Sequence, residues 1–324
     1  LGQREPGRMT YFAVGRATTV LMLVHQGRWY LRTSGLPEAA ICPAFFRSAS
    51  VVAHWLGMLP VLVRPETQSM LVVGLGGGVA LESIPSSVER IDVVELEPEV
   101  VAANRSVSGD RWRDPLSDPR VHVHTNDARN ALLLTDRKFD AIVSQPSHPW
   151  SGGAAHLYTR EFFELVQSRL SEDGVFVQWI GLGFVDAPLF RSLLASLADV
   201  FAHVQVYAPK PLAGALFVAS DAPFDVAGSA AAALAQAPEE LAPFGVRVAE
   251  DLGAALLLDE AGVAALSAGA PLNRDGNNLL QTGSPLVLGR SLLGGVAQLV
   301  GPVDPLREGV PAGFERGYLL RHLP

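Results

Sequence analysis

Apolar residues along this chain fall into short unbroken runs, each closed by a polar or glycine-rich stretch. Runs of that kind predict strands buried on both faces of a parallel sheet. Residues 70–73 (MLVV) form one such run, and Gly74, Gly76, Gly77 and Gly78 follow it at once. A short helix is expected next, then a second buried strand over residues 91–94 with Glu95 at its carboxyl end. Residues 120–124, 139–144 and 174–179 predict three more strands, and 203–207 with 215–220 a closing hairpin. Helical spacing fills the gaps. Pro98 opens a helix to Arg105 from a favoured first-turn position, Thr159 caps one over residues 159–170 with Glu161 in its first turn, and 187–197 is a third. The alternation predicts an α/β fold.

Upstream, residues 18–24 and 28–33 are β-rich runs separated by His25-Gln26-Gly27, which reads as a hairpin. Residues 1–9 read as a lead-in and 34–37 as a turn. Apolar spacing predicts a helix over 45–58, closed by Pro60. Downstream, the Ala-rich segments 227–236 and 253–268 read as helices and 271–276 as a turn, while the tail from 303 to 324 is rich in Pro and Gly and receives no element. The expected organisation is a β element and linking helix over 1–60, a Rossmann-like nucleoside-binding domain over 61–222 and a helical extension over 223–324.

Chemistry concentrates at the ends of the expected strands. Glycines after a first strand let the backbone turn sharply and approach a ligand closely. Glu95 lies 21 positions after Gly74 (95 − 74), about the spacing at which an acidic side chain meets both hydroxyls of a ribose. The alternative is a structural turn with an incidental Glu. The loop departs from the GxGxxG pattern of NAD enzymes, because Val79 stands where the third glycine would fall. An adenosyl-sulfonium ligand, with no pyrophosphate to seat, fits better. Asp127, in the Asn126–Arg129 segment, has two readings: a contact to the adenine edge, or the N-cap of the next helix. His122 and His124 share a strand face and read as edge-strand histidines, with a metal pair as the weaker alternative. Residues 144–153 (SQPSHPWSGG) form an irregular loop at another strand end.

Composition narrows the classes. Of 324 residues, 48% are hydrophobic and 18% charged, which supports a sizeable core and excludes wholesale disorder. The net charge of −8, with no basic stripe, argues against nucleic acid as a partner. Cys42 is the single cysteine, so an internal disulfide and a Cys-based zinc site are excluded and a reducing compartment is expected. The most apolar window, 51–63, is too short for a membrane span and carries His54 and Pro60. No signal peptide is read. The chain opens on Leu1, so it is expected to be cut from something longer.

Several motifs together resemble the spermidine synthase-like proteins, or polyamine aminopropyltransferases. The resemblance is closest to a divergent bacterial branch often fused to membrane helices. GLPEA (35–39), VVGLGGG (72–78), VVELEPEVV (93–101), NDARN (126–130), QPSHPW (145–150) and LYTREFFE (157–164) carry it, and Leu272-Asn273 and Asp275 extend it. It implies a methyltransferase-type Rossmann sheet behind a small N-terminal β domain, often in a homodimer. It also implies a cytoplasmic location, tethered to the inner membrane face if the full chain carries an upstream membrane region. S-adenosylmethionine or its decarboxylated form is the implied donor and a polyamine the implied small-molecule acceptor. Carried over, Gly74, Gly76, Gly77, Gly78, Glu95, Leu96, Asp127 and Ala128 would hold the nucleoside, Glu95 on the ribose and Asp127 on the adenine. No metal is implied.

The chemical half departs from the pattern. Typical members hold the aminopropyl amine with an Asp in the glycine loop, where Gly77 stands here. Their DS(S/T)DP loop supplies an acid that helps deprotonate the attacking amine; here Ser144 or Gln145 takes that place, where the divergent branch commonly has Glu, and His148 precedes the second proline. The helix before the glycine loop lacks the substrate-binding Tyr. An amine nucleophile is protonated at neutral pH and must shed a proton. Gln145 can only hydrogen-bond, so His148 is the candidate base. Gln145 and His148 are therefore the expected catalytic pair. Rival readings are an S-adenosylmethionine-dependent methyltransferase, a nucleoside-binding module without chemistry, and a structural partner for a membrane region.

Overall fold

A computed structural model describes residues 7–43, 51–151, 153–210, 214–288 and 293–305. The N-terminal part is a four-stranded antiparallel meander: β1 (Arg8–Val14), β2 (Thr19–His25), β3 (Arg28–Thr33) and β4 (Leu36–Ile41). Two-residue turns make its last two hairpins. Gln26-Gly27 and Ser34-Gly35 all have positive φ, as hairpins of right-twisted strands require. The expected lead-in is thus partly strand, because β1 pairs with β2 along its length. The expected four-residue turn at 34–37 is only two residues long. Leu36 and Pro37 already belong to β4, an edge strand that tolerates proline.

The central sheet contains β5 (Ser69–Val73), β6 (Arg90–Glu95), β7 (Val121–Thr125), β8 (Phe139–Ser144), β9 (Leu170–Ile180), β10 (His203–Tyr207), β11 (Ala215–Ser220) and β12 (Leu256–Leu258). Their order is β12-β10-β11-β9-β8-β5-β6-β7. β7, β6, β5, β8 and β9 run parallel, while β11 opposes β9 and β10 opposes both β11 and β12. This is the methyltransferase-type Rossmann sheet, with the small β sheet ahead of it. The order reverses between β5 and β8, so their carboxyl ends open a crevice where ligands bind in such sheets.

Helices cover both faces. α1 (Val51–Val63), α2 (Pro98–Arg105) and, from downstream, Val226–Gln236 pack on one side together with the small sheet. α3 (Ala128–Leu134), α4 (Arg160–Gln167) and α5 (Ala187–Ala198) pack on the other, where Phe162, Phe163, Phe176 and Phe190 are fully buried.

Three helical expectations change. The helix expected over 45–58 begins, within the described residues, at Val51 and continues through Pro60; residues 45–50 lie outside the described residues. Proline forfeits one helical hydrogen bond, but Leu56, Met58, Leu59, Val61 and Leu62 are almost wholly buried and hold the turn in place. The short helix after the glycines shrinks to a single 3₁₀ turn, Leu81–Ser83. It lies hard against α1: a Cβ on Gly57 would fall 2.0 Å from the Ala80 carbonyl oxygen. The helix expected over 253–268 divides into Ala249–Ala254, β12 and Glu260–Ser267. Leu256–Leu258 pairs with β10, and Asp259 caps the following helix by accepting from Gly262 N–H, so sheet pairing overrides helix propensity. The tail beyond residue 305 lies outside the described residues. Among the described residues no helix is long and apolar enough to cross a membrane.

Candidate active site

The glycine loop leaves β5 with positive φ at Gly74, Gly76 and Gly78. Gly77 is a glycine for a different reason: a Cβ there would lie 2.6 Å from the Ala39 Cβ of β4. The small sheet therefore sits directly on the loop and leaves no room for a side chain at 77.

A buried polar cluster grips the loop from behind. Asn104 Nδ2 of α2 donates to Gly76 O (2.7 Å). The Arg111 guanidinium, fully buried, donates to Gly77 O (2.8 Å), Asn104 Oδ1 (3.0 Å) and Glu82 Oε1 (2.6 Å). His54 Nε2 of α1 lies 3.3 Å from Glu82 Oε2. Arg111 was not among the residues expected at the site. A single arginine in an Arg-Trp-Arg run carries no signal that it is buried.

Glu95 stands at the end of β6, buried. Its Oε2 accepts from Leu75 N–H (2.9 Å) and its Oε1 from Glu97 N–H (2.9 Å). Burial pushes its carboxyl above the usual range; the N–H groups of Glu97, Leu75 and Gly76 oppose this, and the charge of Glu38 adds to it. Asp127 caps α3, its Oδ1 accepting from Asn130 N–H (2.9 Å), and also lines the cavity beside Glu95. The two readings of Asp127 are compatible with one position. Leu96 and Ala128 line the same cavity.

Two cavities open at these strand ends. The larger, about 370 Å³, is bounded by the glycine loop, Glu95, Leu96, Asp127, Ala128 and the rim of the small sheet. The smaller, about 190 Å³, lies between Gly77, Val79, Ala53, His148, Trp179 and Phe184. Glu38, Gly76, Gln145, Pro146 and Ser147 line both. Four carboxylates, Glu38, Glu95, Glu97 and Asp127, line the larger cavity, and among the described residues no Lys or Arg does.

The loop after β8 brings Gln145 and His148 to this junction. Gln145 N–H donates to Val73 O (3.2 Å), which fixes the loop to β5. His148 is buried, its ring 5.0 Å from those of both Trp150 and Phe184. Its Nδ1 lies 3.3 Å from Ser147 Oγ and 3.7 Å from Glu38 Oε1. Ser147 Oγ donates to Glu38 Oε1 (2.6 Å), and Thr33 Oγ1 donates to the same oxygen. The loop itself lacks an acid, as expected, but the site does not. Glu38 arrives from β4, and its separation of 109 residues from Ser147 hides the pairing from any local pattern.

The downstream segment braces the cavity wall. Asp275 accepts two bonds from Arg129 (2.7 Å each) and one from Thr159 Oγ1 (2.7 Å); the Arg129 guanidinium holds its carboxyl below the usual range. Buried Asn273 donates to Tyr158 O (2.8 Å) and Asn278 to Ala155 O (3.0 Å), fixing the 3₁₀ turn Ala154–Tyr158 against the larger cavity. Away from the site, His124 on the edge strand pairs with Asp92 (2.8 Å). No group of three or more His, Cys, Asp and Glu side chains is disposed to hold a metal among the described residues.

Residues 49–213, half of the chain, match the model of the spermine/spermidine synthase domain. The chain belongs to that family. Curated relatives include the polyamine aminopropyltransferase of Synechococcus sp. (strain JA-2-3B'a(2-13)), 36% identical over 190 residues, which are 57% of this chain and 58% of that protein. The polyamine aminopropyltransferase of Nitrosomonas europaea is 33% identical over 162 residues, 49% of this chain and 50% of that protein. The chain thus spans about half the length of the curated relatives it matches. Among solved structures, a spermidine synthase in complex with the transition-state analogue AdoDATO superposes with a TM-score of 0.64 at 20% identity, covering 80% of this chain and 88% of the other. The spermidine synthase of Thermotoga maritima gives 0.62 at 20% identity, covering 80% and 87%. At that identity the likeness speaks for the fold alone, and the spermine/spermidine synthase fold is the one described above.

Proposed function

We propose that this family member transfers an aminopropyl group from decarboxylated S-adenosylmethionine to an amine. The observation that carries the reading is the pair of cavities joined at Gly76 and residues 145–147, with carboxylates and, among the described residues, no Lys or Arg on the larger one. A decarboxylated donor carries two positive charges, on sulfonium and amine. S-adenosylmethionine adds a carboxylate, which would sit in a field set by Glu38, Glu95, Glu97 and Asp127. Charge complementarity therefore favours the decarboxylated form and ranks the methyltransferase reading second.

Glu95 is positioned to accept from the ribose hydroxyls, with Leu96 and Ala128 against the nucleoside and Asp127 at the adenine edge. The glycine loop lets the sulfonium come close to the junction. Ammonium groups of a polyamine acceptor would enter the smaller cavity, whose Trp179 and Phe184 walls suit an alkyl chain and a cation alike. Gln145 can orient the amine by hydrogen bonding, and His148 stands beside Ser147 on the wall of the smaller cavity. The test supplies decarboxylated donor and putrescine and measures spermidine and methylthioadenosine in equal amounts. Methyl transfer from S-adenosylmethionine, without aminopropyl transfer, would reverse the ranking.

A further inference from the structure

We propose that Glu38, on β4 of the small N-terminal sheet, is the carboxylate that receives the acceptor amine and takes its proton. This deepens the aminopropyltransferase reading and rests on it. An amine nucleophile needs an anion that both attracts the ammonium and accepts its proton. Residues 145–150 offer none, and Gly77 has no room for one, since Ala39 occupies the space a side chain would need. Ala39 immediately follows Glu38. The packing that closes the glycine loop to an acid delivers an acid from the neighbouring strand instead.

The placement of Glu38 suits the role. It lines both cavities, so a group bound there lies on the path between donor and acceptor. Its side chain is only 13% exposed, which strengthens its pull on a cation. Thr33 and Ser147 both donate to Oε1, one from each side of the junction, and hold the carboxylate against the loop. Among the described residues both hydrogen bonds to Glu38 end on Oε1, so Oε2 can face an incoming ammonium. His148, clamped between Trp150 and Phe184, stands 3.7 Å from Oε1, beyond hydrogen-bond reach, and meets Glu38 only through Ser147.

The acceptor ammonium gives one proton to Glu38. The freed nitrogen lone pair forms a bond to the methylene carbon beside the sulfonium. The carbon–sulfur bond breaks with its pair going to sulfur, leaving neutral methylthioadenosine and a secondary ammonium product. Glu38 then returns its proton to solvent.

Glu38→Gln is the test, because the amide keeps an oxygen for Thr33 and Ser147 and removes only the charge. Three quantities are measured in native and variant protein: methylthioadenosine affinity, putrescine affinity of the methylthioadenosine complex, and spermidine formation. The expected result is unchanged methylthioadenosine affinity, putrescine affinity reduced about 10- to 100-fold, and turnover reduced about 10²- to 10⁴-fold. A variant with native putrescine affinity and native turnover overturns the assignment, as does a native complex that binds no putrescine. Loss of methylthioadenosine affinity in the variant would also overturn it, by making Glu38 a structural support of the nucleoside cavity. A native protein that binds putrescine through Glu38 but transfers nothing upholds the amine seat and sinks the aminopropyl reading.

Discussion

The two halves of the crevice are built on different plans. On the larger cavity, Glu95 and Asp127 are held by backbone N–H groups near them in sequence: Glu95 by those of Leu75 and Glu97, Asp127 by that of Asn130. Around the smaller cavity, the groups meet across long distances in sequence, with Glu38 on one sheet bonded to Ser147 at the edge of the other.

The largest effect that separates the halves is expected at Arg111. Arg111→Met removes the donor to Gly77 O and strips buried Glu82 of its guanidinium, leaving only His54 beside it. Breaking a buried pair from one side costs about 3–5 kcal/mol, so denaturant midpoints should fall sharply while Glu38→Gln leaves them near native. A stable Arg111→Met protein would show that the loop does not depend on this support.

Glu95 tests the nucleoside half. Glu95→Ala should weaken methylthioadenosine binding by about 1.5–3 kcal/mol, as for hydrogen bonds to a charged group. Its pH dependence follows from the raised carboxyl. Between the ordinary carboxylate pKa and the raised folded value, the folded chain keeps a proton that the unfolded chain has lost, so this group makes stability fall as pH rises. Ribose hydroxyls donate to the ionised form, so nucleoside affinity should rise over the same window. Calorimetry across that range should show the rise in native protein and none in Glu95→Gln; a parallel rise in both would remove Glu95 from the site.

Gly77→Ala probes the contact between the halves. The new Cβ would overlap Ala39 and press β4 off the loop, at about 1–3 kcal/mol for overpacking. Because Glu38 neighbours Ala39, acceptor binding should suffer more than nucleoside binding, and equal losses in titrations of the two would refute the separation. Asp127→Ala should show the smallest change, about 0.5–2 kcal/mol of stability for a lost cap. An accompanying loss of preference for adenine over other bases in binding assays would add the nucleoside role, and a stability loss alone would limit Asp127 to the cap.

The same division governs what the sequence could tell. β5, the glycines, β6 and Glu95 lie within one continuous stretch, where periodicity and spacing speak directly, and the start of α2 at Pro98 is equally local. β4 was hidden because LPEAAI alternates poorly, and Pro37 suggested a turn. β12 was hidden because three leucines inside an Ala-rich segment have helical propensity, which only pairing with β10 overrides. Arg111 and Glu38 were missed because their partners lie in distant segments, and burial of a charge is a property of the assembled fold.

The central claim is that an anionic crevice selects a doubly cationic adenosyl sulfonium. Calorimetric titration of the native protein with S-adenosylmethionine and with its decarboxylated form, under identical salt, tests it most directly. The account predicts that the decarboxylated form binds at least about tenfold more tightly, a difference of about 1.4 kcal/mol. Equal or tighter binding of S-adenosylmethionine, or binding of neither, would contradict it.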